Sequence, residues 1–150
     1  PFAVTLMKPE LDIWKPGEHN GTFRGNNHAF VTSAAMLDEF WSDDSFAQDV
    51  RRKAGIIEDG LEAICRKHGG GLYRKGRGMM QGISCEGGLA GRVVASAFEQ
   101  GLIIETSGAA DEVVKLLLPL ITPEDEIRRG LEIIDSAFAA AIEGGVQQAS

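Results

Sequence analysis

Between Lys8 and Asn27 the chain holds Pro9, Pro16, Gly17, Gly21 and Gly25, and that spacing of breakers leaves no room for a helix or strand. A loop of this length inside a patterned sequence is uncommon and often functional. Its flanks are regular. Before it, the apolar run Phe2 to Met7 predicts a buried strand, and a chain that opens on a buried strand implies a segment ahead of it. After it, Phe30, Ala34, Leu37 and Trp41 recur at threes and fours and predict a helix over 27–41. Ser42 is placed to cap a second helix ending near His68. Its stripe is Phe46, Val50, Ala54, Ile57, Leu61 and Ile64, with Arg51, Arg52, Glu58 and Glu62 on the other face. Gly69, Gly70 and Gly71 then supply the left-handed residues that stop a helix.

From Leu72 the elements shorten. Residues 79–85 read as a strand and 88–100 as a helix with Leu89, Val93 and Ala97 inward and Gly101 as its stop. Residues 102–106 and 113–118 read as two more strands. Thr122, Pro123, Glu124 and Asp125 form a helix start, and Ile127, Leu131, Ile134, Phe138 and Ile142 its buried stripe, with Gly144 and Gly145 as the end. Ile83, Val93, Ile103, Val114, Leu131 and Phe138 are expected to meet in one core. The order predicts an α/β chain whose second part, 72–150, is a small α+β domain with helices on one face of a mainly antiparallel sheet.

Charge and cysteine count narrow the function classes. The net charge of −7 opposes a nucleic-acid partner, because phosphate neutralisation needs clustered cations. The local cluster Arg66, Lys67, His68, Arg74, Lys75 and Arg77 reads as solvated surface. No apolar run approaches the length of a membrane span, and no leader pattern precedes Phe2. Cys65 and Cys85 lack metal-ligand spacing, as do His19, His28 and His68, so no metal is expected and a reducing cytoplasm is the default compartment.

The chemistry concentrates in residues 17–27. Glycine lets a backbone approach a ligand closely. Gly21 and Thr22, with Gly25 and a helix start at Asn26-Asn27, offer a hydroxyl and free N–H groups to an anion such as phosphate. The same residues also suit a turn-rich connector that satisfies only its own backbone.

Three ordered blocks decide between these readings. Gly21-Thr22-Phe23-Arg24-Gly25-Asn26 resembles the G-T-F/Y-x-G-N motif of class III aminotransferases. Residues 74–83 resemble that family's R-G-x-G-L-x-x-G-I stretch. Residues 113–120, followed by Thr122 to Asp125, resemble its strand, proline and final helix. The resemblance implies the C-terminal part of a fold-type I, pyridoxal-phosphate-dependent transferase. Residues 1–71 would be the end of the large, cofactor-binding domain, and 72–150 the small C-terminal domain. It implies a homo-oligomer with shared active sites, in which Gly21 and Thr22 hold the cofactor phosphate of the neighbouring subunit. Lys115 stands where relatives carry an arginine for a substrate carboxylate. Arg24, where many relatives have glycine, is a second candidate for that role. The Schiff-base lysine is expected before Pro1, since Lys8 follows the strand and precedes a proline, so this chain alone is expected to be inactive. Within the family, the wording of residues 8–27 points to transfer of a terminal amino group between L-glutamate/2-oxoglutarate and aspartate 4-semialdehyde/L-2,4-diaminobutyrate, a step of ectoine biosynthesis. Ornithine, 4-aminobutyrate or a polyamine as substrate, and a non-catalytic dimerisation module, are the alternatives.

Overall fold

The computed structural model of the chain describes residues 3–19, 21, 24–86 and 88–148, the last four as backbone. It divides into two units, residues 1–46 and 47–150. The boundary expected at 71/72 concerns the domains of a longer protein. Within this chain the second unit begins earlier, because the helix before Gly69 contributes Ile57, Leu61 and Ile64 to that unit's core.

Among its described residues the first unit contains one complete α-helix, α1 (Asn27–Phe40). No strand forms over the described residues of 2–7, and Val4 and Leu6 are exposed, Leu6 at 92%. Phe2 lies outside the described residues. A strand requires a hydrogen-bonding neighbour, and the described residues of this unit supply none. The loop after it is less irregular than the breakers suggest. Pro9–Leu11 makes a single 3-10 turn, which proline tolerates at its first position. Helix α1 starts at the expected place, with the Asn26 side chain accepting the Ala29 N–H at 3.2 Å. None of its residues is buried, although Phe30, Val31, Met36 and Leu37 are apolar.

The second unit is a four-stranded antiparallel sheet with helices on one face. Helix α2 (Ser45–His68) leads in. Asp43, rather than Ser42, accepts the Ser45 N–H at 2.8 Å. Strands β1 (Tyr73–Arg77) and β2 (Met80–Ser84) form a hairpin, then come α3 (Leu89–Glu99), β3 (Glu105–Ser107), β4 (Val113–Leu117) and α4 (Glu124–Gln148). The order across the sheet is β1-β2-β4-β3. Strand β1 had no sequence expectation. It is an edge strand rich in charge, and its alternation is too weakly apolar to stand out. The hairpin turns on Gly78 and Met79, with Gly78 at φ 61°, the conformation a two-residue connection needs at its first position.

The core lies between the sheet and the helices. Ile83, Val93, Val114 and Phe138 are fully buried in it, joined by Ile57, Leu61, Ile127 and Ile134, and Leu131 packs against it. Ile103 does not join. It is 84% exposed, because β3 begins only at Glu105 and Leu102 to Ile104 run outside the ladder. Thr122 closes its loop by donating to the Pro119 carbonyl at 2.8 Å, and the helix start falls at Glu124. Gly144 and Gly145 do not end α4, which runs to Gln148. Among the described residues no helix is long and apolar enough to cross a membrane.

Candidate functional site

The loop ahead of α1 is folded by tight local bonds. Lys15 N–H donates to the Glu18 carboxylate at 2.8 Å, and Glu18 N–H returns to the Lys15 carbonyl at 3.1 Å. Gly17 and Gly25 take φ of 87° and 77°, which only glycine adopts without strain. Gly21 has a different reason to lack a side chain. A Cβ there would stand 2.8 Å from Arg24 Cγ and 2.9 Å from its Nε. The guanidinium stem therefore folds back over the glycine, helped by the bond from Arg24 N–H to the Gly21 carbonyl at 3.2 Å. Arg24 is exposed and makes no ion pair among the described residues. Thr22 lies outside the described residues. Lys8 is exposed, and its carbonyl accepts the Leu11 N–H at 2.9 Å.

Lys115 sits in the second unit on β4, opposite Gly82 of β2 and Glu105 of β3. Its neighbours Val114 and Leu116 face the helices, so by alternation Lys115 points to the other, open face. Its Nζ lies 2.6 Å from Glu105 Oε1, and its side chain is 25% exposed against 66% for the glutamate. The lysine is therefore no free surface cation. It already holds a carboxylate, on a stretch of sheet where Gly82 contributes no side chain. Nothing in the sequence singles out Glu105, since its role depends on a cross-strand register that the linear order hides.

Four of the six residues of the basic cluster meet acidic partners. Arg66 pairs with Glu62, and Arg74 with Glu58 and Glu62. Lys67 and His68 both meet Asp135, at 2.6 and 2.8 Å. Cys65 and Cys85 are free thiols, and burial pushes both pKa values up, which suppresses thiolate chemistry. No group of three metal-binding side chains converges among the described residues.

The class III aminotransferase sequence profile matches residues 1–138, so this chain belongs to the class III aminotransferases. Its similarity within that family is specific. The chain is 50% identical over 146 residues to the diaminobutyrate–2-oxoglutarate transaminase of Bordetella parapertussis, covering 95% of this chain and 33% of that protein. It is 49% identical over 145 residues to the Halomonas elongata protein of the same name, covering 94% of this chain and 34% of that one. The chain thus spans about a third of the length of these relatives. Among solved structures it resembles the N-acetylornithine aminotransferase of Stenotrophomonas maltophilia, with a TM-score of 0.70 at 27% identity over 80% of this chain and 33% of that one. The acetylornithine aminotransferase of Elizabethkingia anophelis shares the fold, with a TM-score of 0.71 at 21% identity over 87% of this chain and 34% of that one. The fold is that of part of a fold-type I pyridoxal-phosphate enzyme.

The residues present suit one end of that cofactor. Around Gly21 the described side chain is a donor-only guanidinium with no counter-ion among the described residues, beside a backbone stripped of its Cβ. That is a setting for a phosphate rather than for a pyridine ring.

Proposed function

We propose that the whole protein is a pyridoxal-phosphate-dependent aminotransferase of ectoine biosynthesis. It would move the terminal amino group between L-glutamate/2-oxoglutarate and aspartate 4-semialdehyde/L-2,4-diaminobutyrate. The observation that carries this reading is the near-half identity to diaminobutyrate–2-oxoglutarate transaminases along almost the entire chain.

The cofactor, when bound, supplies the electron sink for amino-group transfer. Gly21 and Thr22 hold its phosphate, reaching it from across a two-fold interface in a homo-oligomer. Arg24 and Lys115 are the candidate cations for substrate carboxylates, and the lysine that carries the cofactor is assigned outside this chain. Lys115 already holds the Glu105 carboxylate, so a substrate carboxylate would have to displace that glutamate, and a lysine cannot make the two-pronged bond of an arginine. Exposed apolar side chains along α1 support a role within a larger assembly. Two free thiols, Cys85 buried and Cys65 half-buried, support a reducing, cytoplasmic setting.

The test is the amino-donor half-reaction in the full-length protein, followed by the cofactor's absorbance. L-2,4-diaminobutyrate should discharge the cofactor band faster than ornithine or 4-aminobutyrate at equal concentration. Faster discharge by either of the others would replace the substrate assignment, and no discharge by any amino donor would remove the enzymatic one.

A further inference from the structure

Pro16 and Gly17 form the centre of a turn that the sequence itself dictates. Proline fixes φ at the second position, and Gly17, at φ 87°, supplies the positive φ needed at the third. The Glu18 N–H closes the turn onto the Lys15 carbonyl at 3.1 Å, and the Glu18 carboxylate accepts the Lys15 N–H at 2.8 Å. Closure over 15–18 brings the two flanking residues together. The rings of Trp14 and His19 lie with centroids 5.4 Å apart and planes tilted by 40°, within the distance at which aromatic rings attract one another. Trp14 is 58% exposed and His19 is exposed, so the turn and the rings make this contact, not a buried core.

The ring pair stands directly ahead of the Gly21 loop. Gly21 begins a second turn, closed by the Arg24 N–H at 3.2 Å, and Asn26 then caps α1 by accepting the Ala29 N–H. Local bonds therefore hold the stretch up to Glu18 and the stretch from Gly21 onwards. The link between them is His19 and Asn20, and the contact of His19 with Trp14 ties that link to the first turn.

We propose that Trp14 and His19 are positioning residues for the phosphate loop. Their ring contact fixes how the chain leaves the 15–18 turn, and so the direction in which Gly21 and Thr22 are presented to the anion. This role rests on the reading of Gly21 and Thr22 as a phosphate cradle. Neither ring bonds to the cofactor in this account. A loop ordered before the phosphate arrives loses less conformational freedom on binding.

Cofactor affinity of the full-length protein tests the assignment. Trp14→Ala and His19→Ala should each weaken cofactor binding about two- to tenfold, the scale of one aromatic pair. The double variant should be no weaker than either single one, because both remove the same contact. Trp14→Phe and His19→Phe keep a ring pair and should restore most of the affinity. The kcat at saturating cofactor and the urea midpoint of the cofactor-free protein should match the parent throughout. Leu11→Ala, also at an exposed apolar position but outside the pair, should bind as the parent does. Alanine variants that bind like the parent, single effects that add in the double variant, phenylalanine variants as weak as the alanine ones, or a urea midpoint that falls with the affinity would each overturn the role. Thr22→Ala separates the two levels. If it weakens binding while the ring variants do not, the positioning role alone falls. If it leaves binding unchanged, the cradle reading falls and the positioning role falls with it.

Discussion

Asp135 and Phe138 sit one turn apart on α4 and between them hold the end of α2. The Phe138 ring stacks on His68 at 5.9 Å, and the Asp135 carboxylate takes His68 and Lys67. Burial alone would raise the Asp135 pKa, but the Lys67 and His68 bonds outweigh it and leave the group below its ordinary value. A carboxyl depressed in the folded state stabilises the protein above its unfolded pKa, and that contribution is lost as pH falls through the folded value. Asp135→Asn should therefore lower the urea midpoint near about pH 7, and the gap to the parent should close once the pH is below the ordinary carboxylate range of about 4. A gap that stays constant with pH would assign the effect to packing. At this scale the sequence was informative where burial follows from residue type alone, as for Phe138 and Val114. It was silent on Gln81, which is buried and whose amide donates to the Ala54 and Gly78 carbonyls at 3.0 and 2.8 Å. A polar side chain gives no sign in the linear order that two backbone carbonyls from other elements will receive it.

Among the elements, α2 shows most plainly how neighbours decide a residue's worth. Gly55 and Gly60 both lie in its interior. A Cβ at Gly55 meets nothing within 4 Å, whereas one at Gly60 meets Leu131 Cδ1 of α4 at 2.6 Å. Alanine in place of glycine inside a helix gains about 0.5–1 kcal/mol. Gly55→Ala should therefore stabilise by about that amount. Gly60→Ala should lose the gain and more, since overpacking costs about 1–3 kcal/mol. Thermal unfolding of the two variants checks the contrast, and equal shifts in Tm would contradict the close approach of α2 to α4. The existence of α1 to α4 was legible from apolar stripes and stop signals, as at Gly101 with φ 86°. Their ends were less so. Glycine permits a helix to stop without forcing it, and α4 carries on through Gly144 and Gly145. Strands fared worse, because β1 and β3 depend on partners. Leu102 to Ile104 have the composition of a strand, yet only Glu105 to Ser107 pair with β4.

For the molecule as a whole, the second unit closes its own core while the first leaves apolar side chains in the open, among them Val4, Leu6 and Val31. That contrast agrees with a chain spanning about a third of its relatives' length. The family was legible in the sequence because three motifs occur in the right order, a signal that needs no coordinates. The roles of the site residues were less so, since Arg24 depends on how it folds over Gly21 and Lys115 on its pairing with Glu105. The central claim is that the loop at Gly21 and Thr22 is the phosphate cradle of an aminotransferase. Cofactor dissociation from the full-length protein, compared with its Thr22→Ala variant, tests it most directly. Loss of a hydrogen bond to a charged phosphate should weaken retention by about 1–3 kcal/mol, or roughly five- to 150-fold in Kd. Equal cofactor affinity in the two proteins would contradict the account.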